Sequence, residues 1–210
     1  AVLSGFVGLV AGRTILDVGT GTGRAALLMA EAGATVTGVD ASEEMLAIAR
    51  EHAAEQHAAV TFAPGDAHAL AFPDRSFDAA VSLRVLMHTP RWRQCVAELC
   101  RVSRHLVVLD YPSARSAALL QSVGRKVVHA AGGRTEPYRV FLDSTIDSVI
   151  AEQGFRVRAR NRQFVLPIAL HKTFGSPRFT SGSERLLERL GLLAAFGSPV
   201  TLVAERCAHS

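Results

Sequence analysis

The chain has 210 residues, 49% hydrophobic and 20% charged, which suits one α/β domain with a sizeable core. No apolar run approaches the ~18–20 residues a membrane span needs. No signal peptide is evident, and a start at Ala1 rather than Met leaves room for an upstream segment. The net charge of +4 is unevenly split: residues 1–100 carry 7 Lys/Arg against 11 Asp/Glu, and residues 101–210 carry 16 against 8. The basic half reads as a solvated surface by default, with an anionic partner as the alternative.

Three cysteines, Cys95, Cys100 and Cys207, lack CxxC or Cys/His ligand spacing. An odd, scattered set suits reduced thiols and a cytoplasmic location. Cys95 and Cys100 fall on an apolar helix face and read as core fillers.

In chain order, residues 14–18 predict a strand. It runs into a turn with Gly19, Gly21 and Gly23, and then into a helix over 24–32 that stops at Gly33. Glycines at every second position permit positive φ and let a ligand approach the backbone. The following helix start offers unpaired N–H groups. This is a nucleotide or nucleoside cradle.

A second strand over 34–39 closes on Asp40. Ser42 then caps a helix with Glu43 and Glu44 in its first turn and Met45, Leu46, Ile48 and Ala49 as its apolar residues. A short strand at 60–62 precedes Gly65-Asp66-Ala67 and a turn-rich loop over 72–78, and a fourth strand covers 79–83. Thr89 and Pro90 read as N-cap and N1 of a helix over 91–102, with Trp92, Cys95, Val96 and Leu99 on one face. A fifth strand spans 105–110.

Beyond Pro112 the sequence predicts a helix over 113–131, a loop over 132–137 and a helix over 144–153. A strand over 155–165 follows, then a helix over 183–193 and a last strand over 199–206. Arg156, Arg158, Arg160 and Arg162 alternate along the 155–165 strand, which places them on one face. That face is either a solvated ladder, the default, or a phosphate grip. Strands alternating with helices predict a mostly parallel sheet with helices on both faces, in a single domain.

Gly21-x-Gly23-x-x-Ala26 alone matches a dinucleotide fingerprint, which keeps a nicotinamide oxidoreductase open. The longer run, Asp17-x-Gly19-x-Gly21-x-Gly23, resembles the first motif of class I S-adenosylmethionine (SAM)-dependent methyltransferases. VTGVDAS (36–42) is similar to their second acidic loop, and GDAHALAFPDRSFDAAVS (65–82) to their adenine-side loop and fourth strand. HLVVLDYP (105–112) is similar to their fifth strand. The likeness runs from Thr14 to about Pro112, and its style is nearest the small-molecule branch similar to ubiquinone and menaquinone biosynthesis methyltransferases. It implies a Rossmann-like seven-stranded, mostly parallel sheet with an antiparallel last strand. It also implies a SAM-binding core over 1–112 and substrate-side elements over 113–210.

By motif position the resemblance assigns Gly19, Gly21 and Gly23 to the loop under SAM, and Asp17 to the methionine amino end. Asp40, with Ala41 beside it, is assigned to the ribose hydroxyls, a role for a carboxylate that only accepts. Asp66 is assigned to the adenine amino group with Ala67 next to it, Met45 to packing on ribose or adenine, and Ser82 and Leu83 to the methionine side.

Methyl transfer is an in-line displacement, so the protein's work is alignment and exclusion of water. His88, after the fourth strand, is a candidate base for an oxygen or nitrogen acceptor, with a structural role as the alternative. Tyr111 is a weaker candidate for a wall or hydrogen bond to substrate. No Asn/Asp-Pro-Pro-aromatic motif and no carboxylate follow the fourth strand, where Ser82 and Leu83 stand. That disfavours adenine-amino methylation and metal-dependent catechol chemistry. The expectation is therefore a metal-independent enzyme acting on a small molecule. An RNA or protein methyltransferase, or a non-catalytic SAM binder, remains as an alternative; no aromatic-and-basic nucleic-acid module is evident.

Overall fold

Ile15 and Leu16, neighbours in the first strand, belong to two different cores, because successive strand side chains point to opposite faces. A computed structural model of the chain, describing residues 10–114, 139–164 and 198–208, shows how. In order it contains β1 (Thr14–Val18), α1 (Arg24–Glu31), β2 (Thr35–Asp40), α2 (Glu43–Glu55), β3 (Val60–Pro64) and β4 (Phe77–Ser82). A 3-10 turn (Leu86–His88), α3 (Trp92–Val102), β5 (Ser103–Tyr111), α4 (Asp143–Glu152), β6 (Phe155–Phe164) and β7 (Ser198–Arg206) follow.

The strands form one seven-stranded sheet in the order β3-β2-β1-β4-β5-β7-β6. β1 to β5 run parallel, with Ile15 level with Val36 on one side and Ala79 on the other. β7 lies antiparallel between β5 and β6. Leu16, Val18, Ala80, Val107 and Leu109 pack with α3 and α4 on one face, while Ile15, Val36, Ala79, Val81 and Val108 pack with α1 on the other. Burial on both faces explains the near-continuous apolar strands. The chain reverses its direction of travel across the sheet between β1 and β4, the switch point where open α/β sheets bind ligands.

Most expected elements are present with ends shifted by one or two residues. Ser42 caps α2, its Oγ accepting the Met45 N–H at 3.3 Å. Cys95 and Cys100 are buried core residues, and burial pushes both thiols up to about 12. The helix expected from 113 does not begin there: Ser113 bridges to Phe141 and Ala114 lies in a turn. The rest of that helix, the 132–137 loop and the 183–193 helix lie outside the described residues.

Two expectations are corrected. Thr89 does not cap the following helix: its hydroxyl donates to the Val85 carbonyl at 2.9 Å, and Arg91 occupies the cap position of α3. The Val85 carbonyl, four residues back, accepts both this hydroxyl and the His88 N–H, and so outcompetes the amides ahead. Nor do the four arginines of β6 share a face. The register against β7 slips between Val157 and Ala159, so Arg156 pairs with Glu205 while Arg160 and Arg162 stand opposite Leu202 and Val200. The bulge turns the last two towards α4, where Arg160 meets Asp147 and Arg162 meets Asp143. Arg156 and Arg158 both reach Glu205. All four arginines have a carboxylate partner, which removes the phosphate-grip reading.

Candidate functional site

The carboxyl ends of β1, β2 and β4 meet at the switch point, and the glycine loop lies across them. Gly19 and Thr20 donate their N–H groups to the Val39 carbonyl at 2.8 and 3.0 Å, tying the loop to β2. Gly19 has φ +73°, and a Cβ there would stand 2.2 Å from Val85 Cγ2, so glycine is required for conformation and room alike. Gly21, at φ +54°, faces open space: a Cβ would meet nothing within 4 Å. Gly23 is the left-handed N-cap of α1 and packs on Phe62 and Ala49. No acidic residue of α1 itself fills its first turn; the carboxylate at this helix end is Asp17, which takes the Ala26 amide.

Asp40 joins the loop to the second motif. Its Oδ2 accepts the Gly21 N–H at 2.8 Å and its Oδ1 the Ser42 N–H at 2.9 Å. A carboxylate has about four acceptor positions, so two hydrogen bonds leave capacity for ligand hydroxyls. Ala41 and Met45 are exposed beside it.

Asp17 lies beneath the loop and is 2% exposed. Its Oδ2 accepts the Thr20 hydroxyl at 2.7 Å. Burial, reinforced by the Asp40 charge, pushes its carboxyl up to about 6 against the lowering pull of Thr20 and the Ala26 amide. A carboxylate short of solvation is well suited to a cationic ligand, whose charge would restore what burial removes.

Asp66 is exposed after β3, with Ala67 half-buried next to it. Asp66 Oδ1 accepts the His68 N–H at 2.8 Å and lies 2.7 Å from His68 Nδ1. These bonds hold its carboxyl below the usual range. His68 itself is anchored by Gln94, which donates to its carbonyl at 2.8 Å. The loop beyond is clamped by Arg101, which reaches the Leu70 and Phe72 carbonyls, Glu98 and Asp74.

Ser82 is fully buried and donates to the Val18 carbonyl at 3.0 Å, fastening β4 to β1. Its hydroxyl is thus used within the sheet, and half-buried Leu83 follows. His88 is exposed at the end of the 3-10 turn, with its N–H bound to the Val85 carbonyl at 2.9 Å. Tyr111 is completely buried. Its hydroxyl donates to Asp143 Oδ1 at 2.9 Å, its ring packs edge-on against Phe141, and burial pushes it up to about 12. That is a packing position rather than a wall open to substrate.

The glycine loop, Asp17, Asp40, Ser82, Leu83 and His88 therefore gather at the β1/β4 crevice and its rims, whereas Tyr111 sits within the core. Sequence reading missed Thr20, Val85, His68 and Arg101. The Glu98/Arg101 spacing on α3 was a visible i,i+3 signal. Thr20 and His68 act on carboxylates only three and two residues away, Asp17 and Asp66, whereas Val85 meets Gly19 only through the fold. Among the described residues, no three His, Cys, Asp or Glu side chains converge as metal ligands would, and no helix is long and apolar enough to cross a membrane.

Residues 16–109 match a family described as a methyltransferase domain. A demethylmenaquinone methyltransferase of Thermus thermophilus is 41% identical over 105 residues, 48% of either chain. The chain thus spans about half the length of that relative. Another, of Deinococcus radiodurans, is 31% identical over 172 residues, covering 72% of this chain and 71% of that one. In fold, the chain is similar to a magnesium protoporphyrin IX methyltransferase from Synechocystis PCC 6803 crystallised with S-adenosylhomocysteine (SAH). The TM-score is 0.67 at 20% identity, over 98% of this chain and 78% of that one.

Proposed function

Because the chain belongs to the class I SAM-dependent methyltransferases, we propose that it transfers the methyl group of SAM to a small-molecule acceptor, without a metal. The supporting observation is the Asp40 carboxylate docked on the Gly21 amide with acceptor capacity to spare, beside open space over Gly21. Three motifs distant in sequence meet there, in the arrangement a nucleoside with a cationic tail would use. SAM, when bound, supplies a methyl group already activated by the sulfonium.

The residues of this chain then do the remaining work. Asp40 holds the ribose hydroxyls, with Met45 as its apolar cover, and Ala41 lies alongside. Asp66, oriented by His68, takes the adenine amino group with Ala67 against the ring. Asp17 balances the charge of the methionine end, and the Ser82–Leu83 backbone forms the wall beside it. His88, on the turn after β4, accepts a proton where the nucleophile is an oxygen or nitrogen that must lose one. A small acceptor is favoured by the demethylmenaquinone relatives and by the β6 arginines, which are split between two faces and paired with carboxylates, so that they form no continuous basic stripe for nucleic acid.

Calorimetric titration with SAM, SAH, NAD and NADH in parallel tests this reading. Binding of SAM and SAH without NADH is expected; binding of NADH alone would overturn it. Replacing His88 by Ala is expected to lower turnover of such an acceptor with SAH affinity kept. Unchanged turnover across pH would assign His88 to the structure of the turn.

A further inference from the structure

One buried carboxylate at the carboxyl edge has no part in the assignments above. Asp110, near the end of β5, is 5% exposed, and its Oδ1 accepts the backbone N–H of Arg84 at 2.5 Å. Arg84 has φ +63°, the left-handed region where an L side chain crowds its own backbone and needs outside support. A bond from an ionised acceptor to a backbone amide is among the stronger supports available. Burial raises the Asp110 pKa, while the Arg84 amide and guanidinium pull it back towards the ionised form.

What this turn directs is the next residue. Val85 follows immediately, and its Cγ2 fills the space in which a Cβ on Gly19 would stand. The Val85 carbonyl then accepts the His88 N–H and the Thr89 hydroxyl, each at 2.9 Å. A single reversal at Arg84 thus sets both the side chain lying on the glycine loop and the turn carrying His88.

We propose that Asp110 is a positioning residue: through the Arg84 amide it holds the left-handed turn that seats Val85 against Gly19, and so presets the loop for the cofactor. The inference rests on the SAM reading for what the loop binds. Asp110 acts on the binding surface without touching the ligand.

Glycine adopts positive φ without support, and that makes the proposal testable by rescue. Asp110→Ala is expected to weaken SAH binding, measured by calorimetry, by roughly tenfold. Asp110→Asn, whose amide oxygen still accepts the Arg84 N–H, is expected to stay within about threefold of the unaltered chain. In the double variant Asp110→Ala/Arg84→Gly, affinity is expected to return. A double variant as weak as Asp110→Ala, or an Asp110→Ala variant with unchanged affinity, would overturn the proposal. Should Asp110→Ala fail to fold, folding of the double variant is the expected rescue, and its failure to fold counts against the idea. If the unaltered chain binds no SAH, the cofactor reading alone falls. Amide hydrogen exchange at Arg84, expected to be slow in the unaltered chain and fast in Asp110→Ala, then still decides whether Asp110 holds the turn.

Discussion

Asp17 carries a cost that the protein without ligand bears alone. Its folded carboxyl titrates near 6, against 3.8 for the exposed group. Below pH 4 both states are protonated and Asp17 contributes nothing. Between pH 4 and 6 the folded state holds the proton longer, so this contribution to stability falls as pH rises. Above 6 a penalty of ~3 kcal/mol remains. Asp17→Asn is therefore expected to raise the melting temperature at pH 7.5 and leave it little changed at pH 4. Calorimetric melts at both values check this, and an equal shift at both would refute the titration account. If SAM supplies the missing counter-charge, its affinity is expected to fall as the pH drops below about 6. Asp40 makes the complementary case: Asp40→Ala is expected to cost ~1–3 kcal/mol of SAH binding. A folded variant that binds unchanged would remove the ribose assignment. Both residues were legible because a motif fixes their spacing. Asp110 was not, because its partner Arg84 lies 26 residues away and only the sheet brings them together.

At the scale of elements, α3 does more than pack. Its end carries Glu98 and Arg101, and Arg101 grips the segment from Leu70 to Asp74 while Glu98 accepts the Leu70 N–H at 2.8 Å. Hydrogen bonding to Arg101, the leading influence, holds Glu98 below the usual carboxylate range. That support is present at neutral pH and is lost as pH falls through the lowered value. Arg101→Met keeps much of the stem and removes the donors. It is expected to destabilise the fold by about 1–3 kcal/mol in a denaturant titration. Faster amide exchange confined to residues 65–75 is the accompanying sign, and exchange unchanged there would contradict the clamp. Helix periodicity made the buried stripe of α3 legible, but its polar end serves a loop some thirty residues earlier. The β6 bulge was hidden for a related reason. Arginines spaced by two match an unbroken strand, and the slip at Arg158 appears only in the pairing with β7.

At the scale of the whole sheet, the four arginines of β6 reach three carboxylates, Asp143, Asp147 and Glu205. Parallel order for β1 to β5 was readable from alternating strands and helices. The entry of β7 between β5 and β6 was not, since nothing local in residues 198–206 names its neighbours; the likeness to a family supplied an antiparallel end. A chain ending at residue 197 is expected to lose cooperative unfolding, as both neighbours of β7 would lack their partner. A sharp melt from that truncation would show that the sheet closes without it.

The same placement imposes a timetable on biosynthesis. On the ribosome, β1 to β5 can assemble as they emerge, but β5 must wait about ninety residues for its second neighbour, because β7 begins only at Ser198. Throughout that interval a nascent chain presents Val107 to Leu109 beside an open row of backbone donors and acceptors. Of the seven described strands, the last to be translated is the one that seals the sheet, so chains arrested or released before it are the form most in need of a chaperone.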